Sequence, residues 1–240
     1  MNVAIIIAGG VGSRMGANIP KQFIEVNGKH VLAYTCESFQ RHHLIDAIEI
    51  VCIEGWEEDV MEYREKYGIT KLKWIAKGGA SGQESIRNGV DNLRPFLTDD
   101  DNVIIHDGIR PLVDDSVIDD LIEKCNLHGN AVTSMPYNEQ IFLIDQEDPN
   151  STVQYIPRET LRRVATPQCY KYGLLHDKYA EAFEKKIGIY GSAYTNTMMV
   201  DLGVRLFFAK GSDKNIKLTT PGDLAIFKAM LDKGENKWPP

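Results

Sequence analysis

Residues 3–8, VAIIIA, form an unbroken apolar run that stops at Gly9 and Gly10. A run with no polar alternation suits a strand buried on both faces, and such strands belong to parallel sheets covered by helices. The glycines let the backbone turn tightly and bring N–H groups up to an anion with no side chain between them. Beyond the turn, in MNVAIIIAGGVGSRMGANIPKQ, Arg14 and Lys21 add fixed positive charge. Strand, glycine turn, arginine and lysine in that order suit a nucleoside triphosphate. Two other glycine-loop readings fail on spacing. A P-loop requires Gly-Lys followed by Ser or Thr, and no lysine follows a glycine of this turn. The dinucleotide fingerprint, begun at Gly10 and Gly12, requires glycine at Met15, and the chain supplies Gly16 instead. A plain strand-to-helix turn stays open at this point.

The rest of the chain repeats the theme. Strand-like runs at 3–8, 47–53, 72–76, 102–106, 131–135 and 204–209 alternate with helix-like stretches at 31–41, 56–67, 83–93, 114–127, 172–186 and 221–232. The alternation predicts a mostly parallel α/β sheet with helices on both faces, and 240 residues suffice for one such domain over 1–240. Segment 137–165 breaks the pattern with two short β-like runs around EDPNS, which predicts a β-hairpin or arm. Ile141, Phe142, Leu143 and Ile144 on one leg and Val153, Tyr155 and Ile156 on the other would expose much apolar surface. A homodimer joined through this arm is expected, with a hairpin folded back on its own domain as the alternative.

A net charge of −7 argues against nucleic acid and anionic membrane as partners. The absence of a basic leader and of a long apolar run leads us to expect a cytoplasmic protein. Cys36, Cys52, Cys125 and Cys169 are scattered, with no metal or disulfide spacing, and read as buried or neutral thiols. His42 and His43 read as a solvated surface pair without a role.

Four further motifs fall at predicted strand ends, where open α/β sheets bind ligands. HDGIRP puts Asp107 at a strand tip, a natural Mg²⁺ partner beside a triphosphate, although a helix cap or an ion pair with Arg110 would also explain it. KGGASGQESIRNGV offers Gly78, Gly79, Ser81 and Ser85 for close approach to a base or ribose. ATPQCY brings Thr166 after the arm. DKNIKLTTPGDL places Lys217 between an apolar strand and a helix.

Taken together and in this order, AGGVGSRMG, PKQF, GGASGQESIRNGV, HDGIRP, ATPQCY and NIKLTTPGDL resemble the cytidylyltransferases acting on 2-C-methyl-D-erythritol 4-phosphate and on ribitol 5-phosphate, from residue 3 to about 231. The resemblance implies a Rossmann-like nucleotidyltransferase fold and a homodimer with exchanged arms. It implies CTP held by Ala8, Gly9, Gly10, Gly12, Ser13, Gly78, Gly79, Ser81 and Ser85. It implies Arg14, Lys21 and Lys217 around the reacting α-phosphate, and Asp107 near Mg²⁺ and the acceptor. Arg158 would reach the acceptor phosphate across the dimer and Thr166 would help hold it, with Arg110 and Thr195 on the same acceptor side.

Three places depart from that family's pattern. Gly82 stands where an arginine is common, Glu139 and Gln140 replace an Asp-Thr pair, and Tyr194, Thr195, Asn196 and Thr197 replace a Thr-Asp-Glu or Thr-Asp-Asp run. A carboxylate only accepts hydrogen bonds, whereas an amide both donates and accepts, so these changes bear on which sugar hydroxyls are held. They favour ribitol 5-phosphate or a related linear alditol phosphate over methylerythritol phosphate as acceptor. A sugar-1-phosphate nucleotidyltransferase and a nucleotide-binding protein without turnover are the competing classes.

Overall fold

The computed structural model describes residues 1–10, 19–191 and 194–232. The opening run is strand β1 (Asn2–Ala8), followed by a short hairpin of β2 (Glu25–Val26) and β3 (Lys29–His30) and then helix α1 (Val31–Arg41). Next come β4 (Ala47–Cys52), the short helices α2 (Glu57–Met61) and α3 (Tyr63–Lys66), β5 (Leu72–Lys77) and α4 (Gly82–Asn92). Strand β6 (Asn102–Asp107), α5 (Asp115–His128) and β7 (Asn130–Pro136) lead to a hairpin of β8 (Ile141–Leu143) and β9 (Gln154–Ile156). The chain returns along β10 (Arg162–Lys171) and ends in α6 (Tyr172–Lys185), α7 (Thr195–Asp201), β11 (Phe208–Lys210) and α8 (Pro221–Asp232).

Seven strands form one sheet in the order β11-β7-β10-β6-β1-β4-β5. β10 pairs antiparallel with both β6 and β7, while the other pairings are parallel. The sheet is therefore mixed rather than parallel throughout, with β10 threaded between strands that the sequence pattern makes neighbours. Side chains alternate across β1: Ala4, Ile6 and Ala8 pack with α1 and α5, whereas Val3 and Ile5 pack with α4, α6 and α7. Close helix-to-sheet packing has a visible cause at Gly89, where a Cβ would lie 2.7 Å from Val51 Cγ2. Helix α5 stops at Gly129, whose φ of 85° is accessible to glycine at no steric penalty.

The long helix-like stretch at 56–67 is two short helices. The strand-like run at 204–209 keeps only its last residues in the ladder, because Val204 and Leu206 pack on the core instead. All four cysteines are buried free thiols. His42 differs from the expectation of a solvated pair. It is buried, its Nδ1 accepts from the Leu44 N–H at 3.3 Å, and its Nε2 faces Asp119 Oδ1 at 3.2 Å. His42, His43 and Asp119 bring one ligand atom each within 4.8 Å of one another, and the following Leu44 lies at the amino end of β1. His42 is thus tied to Leu44 and Asp119, while His43 stacks on its ring and stays exposed.

Another buried titratable group was not legible in the pattern. Glu49, in the centre of β4, is fully buried, with Oε1 accepting from Asn92 Nδ2 at 2.6 Å and Oε2 without a partner. Burial pushes its carboxyl up to about 8, against the Asn92 bond that lowers it.

Candidate active site

β1 lies between β4 and β6, so successive connections leave it toward opposite sides and open a crevice at the carboxyl ends of these strands. Ala8, Gly9 and Gly10 stand at that crevice. Gln22 holds the turn there: its buried side-chain amide donates to Ala8 O at 2.6 Å and Gly10 O at 2.9 Å. Lys21 opens the 3-10 turn Lys21–Phe23 and is thus brought to the end of β1 by its neighbour. Gly12, Ser13 and Arg14 lie outside the described residues.

The second glycine turn packs directly on the first. A Cβ on Gly78 would lie 3.2 Å from Gly9 Cα, and one on Gly9 would lie 3.0 Å from Ser85 Oγ. The two hydroxyls expected to face a base or ribose are already engaged. Ser81 Oγ caps α4 by accepting from Glu84 N–H at 3.1 Å, and Ser85 Oγ accepts from Gly79 N–H at 2.9 Å while donating to Ser81 O at 2.8 Å. They shape the turn, and Gly78 and Gly79 let it pack closely against Gly9 and Glu84. Substituting Gly79→Ala would put a Cβ 2.6 Å from Glu84 Cβ and 2.9 Å from its backbone carbon. Overpacking of that kind costs about 1–3 kcal/mol. We expect a lower melting temperature and a raised KM for CTP, both measurable on purified protein; unchanged values for both would contradict the packing described.

Asp107 ends β6 at the centre of a charge cluster. Its Oδ2 meets Arg110 Nε at 2.9 Å and Lys217 Nζ at 3.2 Å. Burial alone would raise its pKa, but Lys217 and then Arg110 outweigh that and hold the carboxyl down to about 2. Hydrogen bonds to backbone carbonyls join three distant motifs here. Arg110 Nη1 donates to Asn215 O at 2.8 Å, Asn215 Nδ2 donates to Thr166 O at 2.6 Å, and Leu218 N–H donates to Ile109 O at 2.9 Å. Thr166 Oγ1 accepts from the Asp107 N–H at 3.2 Å, so its own proton stays available to a ligand oxygen. His106, fully buried, faces Arg110 O through Nε2 at 3.0 Å; burial lowers its pKa to about 4, so it braces this turn as a neutral ring.

Asp107, Arg110, Thr166 and Lys217 thus come together, with Arg110 committed to bracing Asp107 and Asn215. Arg158 does not join them within one chain: its Nη1 donates to Asn138 O at 3.3 Å and its Nε faces Glu159 at 3.4 Å, on the hairpin arm. Thr195 turns inward, buried, with Oγ1 2.7 Å from the Tyr179 hydroxyl, so the structure gives it a packing role in place of the expected acceptor contact. Asn196 and Thr197 line an open groove at the β11 edge with Val164, Val204 and Phe208. Gln22, His106 and Asn215 carry out positioning that the sequence reading missed. Each sits inside a motif already singled out, beside the residue that drew attention. Among the described residues no helix is long and apolar enough to cross a membrane.

A mixed α/β sheet with two glycine turns and a Lys-Arg-Asp cluster at its switch point defines a nucleotidyltransferase. A family model described as 2-C-methyl-D-erythritol 4-phosphate cytidylyltransferase matches residues 2–233. The chain belongs to that family, and it is a cytidylyltransferase of the class whose members act on polyol phosphates. It is 57% identical over 235 residues to a ribitol-5-phosphate cytidylyltransferase of Lacticaseibacillus paracasei, covering 98% of this chain and 100% of that one. It is 39% identical over 235 residues to a 2-C-methyl-D-erythritol 4-phosphate cytidylyltransferase of Clostridium acetobutylicum, covering 97% of this chain and 98% of the relative. A crystal structure of 4-diphosphocytidyl-2C-methyl-D-erythritol synthase superposes with a TM-score of 0.77 at 26% identity, covering 96% of this chain and 98% of that one.

Proposed function

We propose that the chain transfers CMP from CTP to ribitol 5-phosphate, giving CDP-ribitol and pyrophosphate. The observation that carries the choice of acceptor is the 57% identity to a ribitol-5-phosphate cytidylyltransferase, against 39% to a relative named for methylerythritol phosphate. The exposed Glu139 and Gln140 on the arm, and neutral Asn196 and Thr197 in place of an acidic run, agree with an acceptor pocket that has changed.

The acceptor phosphate is ionised at neutral pH, so one of its oxygens attacks the α-phosphorus with no side chain needed as base. Charge neutralisation and in-line placement are what the protein must supply. Lys217 and Lys21 serve the α-phosphoryl oxygens and Arg14 the departing pyrophosphate. Thr166 donates its hydroxyl to the acceptor phosphate, which Arg158 of a second copy reaches from the arm. Exposed Phe142, Leu143, Ile144, Val153 and Tyr155 on that arm favour a homodimer that covers them. A magnesium ion fits the ionised Asp107, since one carboxylate oxygen suffices when triphosphate and water provide the other ligands, and it would neutralise charge on the phosphates.

Initial rates of pyrophosphate release with CTP and Mg²⁺ test the acceptor. Ribitol 5-phosphate is expected to exceed methylerythritol phosphate by about tenfold or more in kcat/KM. The reverse ranking would reassign the acceptor, and thermal stabilisation by UTP but not by CTP would reject the base.

A further inference from the structure

Tyr194 is a large aromatic residue, 57% exposed, on the polar entry to α7. Its backbone is fixed from both sides. Its N–H donates to Thr197 Oγ1 at 2.9 Å, Thr197 Oγ1 donates back to Tyr194 O at 2.9 Å, and the adjacent Thr195 is anchored in the core on Tyr179. The ring is thereby held beside the charge cluster, with Lys217 Nζ 5.8 Å from its centroid.

We propose that Tyr194 is a positioning residue that holds the Lys217 ammonium at the reacting phosphate. Lys217 has an opposite charge at 3.2 Å in Asp107, but that carboxylate is the group a nucleotide-bound cation would draw on. An ammonium released from Asp107 on a four-carbon stem has many rotamers to explore. An aromatic face attracts it without using any of its three N–H donors, so all three stay available to phosphate oxygens. The inference rests on the reading of Lys217 as a cation of the α-phosphate.

The test uses the full chain with CTP, Mg²⁺ and ribitol 5-phosphate, and compares Tyr194→Phe, Tyr194→Leu, Lys217→Ala and the Tyr194→Leu/Lys217→Ala double variant. Phenylalanine keeps the ring and restores the rate to within about twofold of the native chain. Leucine lowers kcat about threefold to fivefold with KM for CTP unchanged, the size expected for an exposed cation–π contact. In the absence of Lys217 the leucine substitution has no further effect, because the group it positions is gone. Additive losses in the double variant, or a native kcat in Tyr194→Leu beside an inactive Lys217→Ala, would overturn the proposal alone. A native rate in Lys217→Ala would instead remove the reading beneath it.

Discussion

Lys217→Ala is expected to give a folded protein whose kcat for CMP transfer is lower by on the order of 10²- to 10³-fold, the loss seen when one charge-stabilising donor is taken from a preorganised site. The reason is local. The ammonium is 3.2 Å from Asp107 Oδ2 at the carboxyl end of β6, in the crevice that the glycine turns flank. The fold survives because the segment is held by other contacts: buried Leu218 packs with Val31 and Phe227, and its N–H bonds to Ile109 O at 2.9 Å. Circular dichroism and melting temperature check the fold; pyrophosphate release at saturating CTP and acceptor checks the rate. A rate within threefold of the native chain would contradict the assignment of Lys217.

The second large effect is on stability. Glu49→Gln is expected to stabilise the protein, and increasingly so as pH rises. The folded carboxyl is raised to about 8 from an ordinary value of 4.5, so between those values the unfolded chain releases a proton that the native state keeps. Stability of the native chain therefore falls by about 1.4 kcal/mol per pH unit from this group across that window, and glutamine has no such slope. Near pH 4.5 the two proteins have similar stability, since native Glu49 and glutamine are both neutral there and both accept from Asn92 through one oxygen. At pH 8 the variant leads by on the order of 3–5 kcal/mol, which for a chain of this size raises the melting temperature by roughly 10 °C. Urea titrations at pH 5, 6.5 and 8 measure the trend. A difference that does not change with pH, or one favouring glutamate at pH 8, would contradict a protonated Glu49.

Much of this architecture was readable from residue order. Interior parallel strands are mainly apolar runs, so β1 and β6 announce themselves, as does β4 despite Glu49 at its centre, and α1 and α8 match their expected bounds. β10 did not, because Pro167 and the paired Arg162 and Arg163 interrupt its apolar pattern and its partners are remote in sequence. α7 is seven residues opened by two threonines, too short for a helical period to stand out. Asp107 was expected at the tip of β6 and Lys217 between a strand and a helix, and the structure brings the two within 3.2 Å. Their braces were not legible. That Asn215 bonds Thr166, or that His106 bonds Arg110, depends on how three loops meet. The fate of the Tyr194 run likewise needed coordinates: adjacent residues point to Lys217, to Tyr179 and to the β11 groove.

Oxygen tracing is the most direct test of the reaction. With CTP and ribitol 5-phosphate carrying ¹⁸O in its non-ester phosphate oxygens, attack by that phosphate on the α-phosphorus keeps every labelled oxygen in the CDP-linked product, one of them in the new bridge. Mass spectrometry is then expected to find fully labelled CDP-ribitol and unlabelled pyrophosphate. Labelled pyrophosphate, or CMP released with the acceptor unchanged, would contradict the account.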